Sequence, residues 1–169
     1  EPYQMLGVIE DDFLDTLDVD TIGIWPLNNI FGFPNEGWKE FQTPWGQTVL
    51  VSKKMEMKVE SNGNILVYPQ SDTSVPPSGR MPASSYFFEA LIRQNRIVEE
   101  NLNPEDNLEE FGPLSDADLK NYKDKIEAFE KSGRAIVITV PGTAVGDIAL
   151  IPATFLKHPK GIRDMTEWY

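Results

Sequence analysis

The run Ala135-Ile136-Val137-Ile138-Thr139-Val140 decides the fold. It is apolar on both parities, the pattern of a parallel strand covered on both faces, where a strand with one wet face would alternate. Pro141-Gly142 stops it. The residues ahead of it read as a helix. Ser115 and Asp118 have the spacing of a capping box, Leu119, Tyr122, Ile126 and Phe129 recur three or four residues apart, and Gly133 stands where a left-handed C-cap belongs. The spacing predicts a helix over about 116–131, and a helix feeding a doubly apolar strand points to an α/β layer.

The start of the chain repeats that order. Met5, Ile9, Phe13 and Leu17 recur every four residues, with Leu6 and Leu14 beside them and Glu10, Asp11, Asp12 and Asp15 on other faces, so a helix is expected over about 4–17. Thr21-Ile22-Gly23-Ile24-Trp25 is short, partly β-branched and ended by Pro26, which predicts a strand followed by a loop. The two strands are expected to lie in one parallel layer. Two strands cannot close a (β/α)₈ barrel, which takes about 250 residues.

Between them the pattern changes to short runs: Thr48-Val49-Leu50-Val51, Met55 to Glu60 with period two, and Ile65-Leu66-Val67-Tyr68. Pro44-Trp45-Gly46 and Ser61-Asn62-Gly63-Asn64 separate them, and Asn-Gly between two such runs is a strong hairpin signal. An antiparallel meander of three or four strands is therefore expected, inserted over about 37–70. Residues 71–85, rich in Ser, Pro and Gly, read as a long loop. A short element is expected around 86–93, then an acidic solvated connection over about 99–112, and loop and helix after residue 143. The chain opens on Glu1-Pro2-Tyr3 and closes on a helix-like run, so it reads as a single fragment, 1–169, of a longer protein. The fold class expected is α/β: a partial TIM-barrel-like parallel layer with an inserted antiparallel β meander.

Composition removes several functions. Fifteen Lys and Arg against 27 Asp and Glu leave a formal charge of −12, which repels a phosphate backbone, so nucleic acid is not an expected partner. No apolar stretch approaches the roughly 18 residues of a membrane span. There is no cysteine, hence no disulfide, thiolate nucleophile or thiolate metal site, which fits a cytoplasmic location. With one histidine, no metal site is expected. An open sheet edge invites self-association, so a homo-oligomer is an expected partner state.

Several blocks carry a family resemblance: Asp20 to Phe33 (DTIGIWPLNNIFGF), Tyr68 to Pro82 (YPQSDTSVPPSGRMP), Asn101-Leu102-Asn103-Pro104-Glu105-Asp106, Gly146-Asp147-Ile148-Ala149-Leu150 and His158-Pro159-Lys160-Gly161. In these the chain resembles the uroporphyrinogen decarboxylase-like superfamily, and within it the bacterial branch of corrinoid-linked methyltransferases. The similarity covers nearly all of this chain but only the N-terminal and central part of a family member. It implies a TIM-type barrel with its cleft at the C-terminal ends of the strands and loops 26–33 and 141–147 at the rim. It also implies methyl transfer between a small substrate, a corrinoid and a thiol, with a corrinoid protein as partner and zinc held by one His and two Cys from the later half of the barrel. Those zinc ligands do not occur here, so corrinoid and zinc are expected of the parent protein and no cofactor within the fragment. Decarboxylase members use an Asp on the pyrrole nitrogens, to which no residue here is matched; a porphyrinogen decarboxylase and a non-catalytic scaffold or interaction module are the alternatives.

Each candidate site residue has a functional and a plainer reading. Asn28 and Asn29 follow a strand end facing the cleft and either orient substrate or build a turn. Arg80, between Gly79 and Pro82, either binds a carboxylate-bearing ligand or pairs internally with an acid, Asp72 being the partner expected. Asp147, after the second strand, is either a general base or a helix N-cap, and Thr143 shares that junction as a substrate-binding candidate. His158, ahead of Pro159, reads as structural. The aromatic set Trp25, Phe31, Phe33, Trp38, Phe41 and Trp45 either lines a flat macrocycle's pocket or packs the meander.

Overall fold

A capping box starts the longest helix: Ser115 Oγ accepts from the Asp118 N–H while the Asp118 carboxylate accepts from the Ser115 N–H, and Gly133 (φ 75°) terminates the segment. In this computed structural model, which describes residues 2, 4–110, 112–140 and 153–168, the helix α2 spans Asp116–Phe129 and continues for one tighter turn. It follows α1 (Asp11–Thr16) and leads into strand β8 (Ala135–Ile138). A last short helix, α3, spans Met165–Trp168.

Strand β1 (Thr21–Ile24) pairs with β8 in parallel, Thr21 opposite Ala135 and Ile24 opposite Ile138. The expected parallel pair is thus present, although the described residues form no closed barrel. Arg134 fixes its N-terminal end, donating through Nε to the Val19 carbonyl and through Nη2 to Asp15. At the other end Tyr122 Oη of α2 donates to the Thr139 carbonyl at 2.8 Å, and the Asn121 amide to the Trp25 carbonyl.

The intervening segment is antiparallel. Strands β2 (Trp38–Gln42) and β3 (Thr48–Ser52) form a hairpin; β4 (Met57–Val59), β5 (Ile65–Val67), β6 (Gly79–Met81) and β7 (Glu89–Ala90) form a four-stranded sheet in sequence order. The insertion therefore runs to Ala90, beyond the expected boundary near 70, and the supposed loop 71–85 contains a strand. Gly79 explains why that strand fits: a Cβ there would lie 2.7 Å from both Phe31 Cε1 and Val67 Cγ1, so only a residue without one lets β6 press on the core.

Phe31, Phe33, Val51, Met55, Ile65, Val67, Met81 and Phe88 make up that core, with Phe31 and Phe88 edge to face at 5.5 Å. The principal hydrophobic cluster thus lies in the insertion, into which the loop after β1 sends two phenylalanines. The first helix is shorter than expected. Met5 has a positive φ of 55° and packs against the insertion core, while Leu6, Ile9, Phe13 and Leu17 remain exposed, so most of the apolar stripe gains no burial among the described residues that would extend the helix.

Candidate functional site

The C-terminal end of the parallel pair is where a barrel of this kind would place its cleft. Ile22 and Ile24 form the buried parity of β1, and α2 packs against that strand. The opposite parity is bare. Gly23 faces solvent opposite Val137, which is 54% exposed, and the Trp25 indole, 62% exposed, folds back over Gly23 with Nε1 3.4 Å from the position a Cβ would take. A methyl at residue 23 would meet the indole at ordinary van der Waals distance, and only a larger side chain would crowd it.

The loop after β1 is a built turn. Asn29 Oδ1 accepts from the Phe31 and Phe33 N–H groups, the Asn29 N–H donates to the Phe33 carbonyl, and Asn28 bridges Pro34. The Asn29 carbonyl oxygen is thus committed to the turn, while Asn28 is exposed. Thr154 Oγ1 donates to the Ile30 carbonyl, and Gln70 Nε2 to the Phe155 carbonyl, so residues 153–157 are fastened to this loop. Arg93 completes the fastening by donating to the carbonyls of Ala153 and Leu156 at 2.6 Å.

Arg80 lies on β6 and pairs at 2.7 Å with Glu89, its cross-strand partner on β7, both exposed. The expected Arg80–Asp72 pairing does not form. Asp72 takes Lys157 at 2.7 Å instead, and that ammonium, with the Ser74 hydroxyl and N–H, holds its carboxyl well below the usual carboxylate range. The structure does not bring Arg80 to the parallel pair's end by any contact. Asp147 and Thr143 lie outside the described residues. Four of the six aromatics, Phe31, Phe33, Phe41 and Trp45, pack in or against the insertion core; Trp25 and Trp38 are exposed.

The acidic connection departs from the sequence expectation. Glu109 and Glu110 turn inward and embrace Arg163, whose side chain is 2% exposed, at 2.7 Å each. Glu109 also accepts from the N–H groups of Lys160 and Gly161, and Asn107 Oδ1 accepts from Ile162 N–H at 2.7 Å. Burial pushes the Glu110 carboxyl up, Arg163 draws it back, and Glu109 adds to the rise. Gly161 is required at this seam, because a Cβ would sit 2.5 Å from the Asp106 carbonyl. The seam leaves a cleft of about 340 Å³ between residues 95–107 and 159–162. No periodicity foretold it: its halves are more than fifty residues apart, and only the acid-rich run beside a later Arg hinted at a pair.

The chain's donor chemistry does not fit the implied zinc set, since it has no Cys and its one His, His158, is exposed. Nor does either described cleft, of about 340 and 140 Å³, suit a corrinoid, given that pockets for drug-sized ligands already take about 300–1,000 Å³. Among the described residues no cluster of His, Asp and Glu is arranged to hold a metal ion, and no helix is long and apolar enough to cross a membrane. Comparison of the chain with family models, curated proteins and solved structures returned no match.

Proposed function

We propose that this chain is the first-strand side of a uroporphyrinogen decarboxylase-like barrel whose parent protein transfers methyl groups between a small substrate, a corrinoid and a thiol. In this reading the chain supplies wall and binding surface rather than the reacting groups. The observation that carries it is the bare face of the parallel pair. Parallel strands are normally buried on both sides, yet Gly23, Trp25 and Val137 present an apolar surface to water. That surface is what the interior wall of an incomplete barrel would expose, with Trp25 at its mouth.

The residues of this chain then have limited roles. Trp25 offers a flat apolar platform at the strand end, Asn28 an unburied amide beside it, and the Asn29 turn fixes the loop that carries both. Thr143 and Asp147 follow the second strand in sequence and remain the proposed contributors from that side, Asp147 as the general base.

The parent protein, mixed with methylcobalamin and a small alkyl thiol, should consume the methylated corrinoid and form the thioether, and Trp25→Ala should raise KM. Decarboxylation of a porphyrinogen, or no turnover with either set of reactants, would overturn the assignment.

A further inference from the structure

We propose that the cleft between residues 95–107 and 159–162 is a binding site for a small dianion, held by Arg96 and Lys160. Both residues line this cleft, and neither makes an ion pair among the described residues. Arg96 and Lys160 are two of several cations that make no ion pair among the described residues, and these two meet at one concavity in a chain of net charge −12. One carboxylate, Asp106, shares the lining, so its side chains sum to +1. The amides of Asn95 and Asn101 add neutral donors. A volume of about 340 Å³ suits a small ligand.

The walls are fixed before any ligand arrives. Lys160 and Gly161 are pinned through their N–H groups to Glu109, Ile162 through its own to Asn107, and Arg163 beside them is locked between Glu109 and Glu110. The Lys160 backbone is thus held, and what binding must still order is the exposed side chains of Lys160 and Arg96. The shared ligand chemistry is an oxyanion with two negative charges, which a phosphate or a dicarboxylate provides.

The test is calorimetric titration of the protein with inorganic phosphate and, separately, with succinate. Saturable binding of one or both is expected, weakened about tenfold or more by Arg96→Ala and by Lys160→Ala, while Lys120→Ala on the exposed face of α2 leaves it unchanged. Asp106→Asn should tighten binding, because it removes the one opposing charge; a merely structural role for Asp106 would not do so. Whichever probe binds more tightly identifies the source of the oxyanion. Absence of saturable binding by both probes, or binding indifferent to Arg96→Ala and Lys160→Ala, would overturn the proposal. Arg96→Gln replaces Arg96→Ala if the latter loses its cooperative melting transition.

Discussion

Replacing Arg163 with Met removes the cation from between two partly buried carboxylates. Arg163 is 2% exposed, Glu110 8% and Glu109 19%, and both contacts measure 2.7 Å. Deleting one partner of such a buried arrangement costs about 3–5 kcal/mol, because the charges left behind lose their compensation. A domain of this size has roughly 5–15 kcal/mol in total. With a urea slope of about 2 kcal/mol/M, the unfolding midpoint should fall by about 2 M. The pH dependence follows from Glu110, whose carboxyl burial already raises. A raised folded-state pKa contributes stability that is fully present below the ordinary glutamate range and is lost as the pH climbs through the folded value. Removing Arg163 pushes that carboxyl further up, so the variant should be worst near neutrality and recover toward the parent at about pH 5. Urea titrations of both proteins at about pH 7.5 and pH 5 provide the comparison. A loss below about 1 kcal/mol, the range of exposed pairs, or an equal loss at both pH values would refute the argument.

Gly79→Ala should cost about 1–3 kcal/mol in urea denaturation, since its new methyl collides with Phe31 and Val67 inside the core. Ser115→Ala removes the cap acceptor for the Asp118 N–H and should cost about 1 kcal/mol, read as earlier melting and faster amide exchange in the first turn of α2. Lys157→Ala should raise the Asp72 pKa toward the ordinary carboxylate range in a carboxyl-detected NMR titration, because Lys157 is the largest cause of its depression.

Local signals were legible in the sequence where they act within one turn or one hairpin. Ser115, Asp118 and Gly133 announced α2 because capping and a left-handed terminus need only neighbouring residues. The run at 135–140 announced a strand through its composition, but the burial on both faces it implied is absent among the described residues, since Val137 and Ile138 are exposed, and its partner β1 lies more than a hundred residues away. Strand β6 was hidden: three residues, one of them Gly79, are too few to set a period although their burial alternates, and pairing with β5 and β7 makes the strand. The stripe of α1 overstated its length because periodicity records what a helix would bury, and among the described residues Leu6, Ile9, Phe13 and Leu17 stay exposed. Among the candidate site residues, Asn29 follows the turn chemistry its type favours. The partners of Arg80 and Asp72 were set by cross-strand register and by a segment 85 residues downstream, neither of which composition reveals. The Glu109–Glu110–Arg163 seam was missed for a like reason, an acidic run looking the same whether it faces water or a distant guanidinium.

The face formed by Gly23, Trp25 and Val137 bears the central claim. Val137→Cys in the parent protein gives a reporter on that face, with Asn62→Cys in the exposed turn between β4 and β5 as the reference, each read by mass-spectrometric mapping of its own peptide so that other cysteines of the parent do not interfere. If the face lines a barrel interior, the thiol at 137 resists a maleimide under native conditions and reacts only once urea unfolds the protein, while the thiol at 62 labels at once. Equally fast native labelling at both positions would contradict the account.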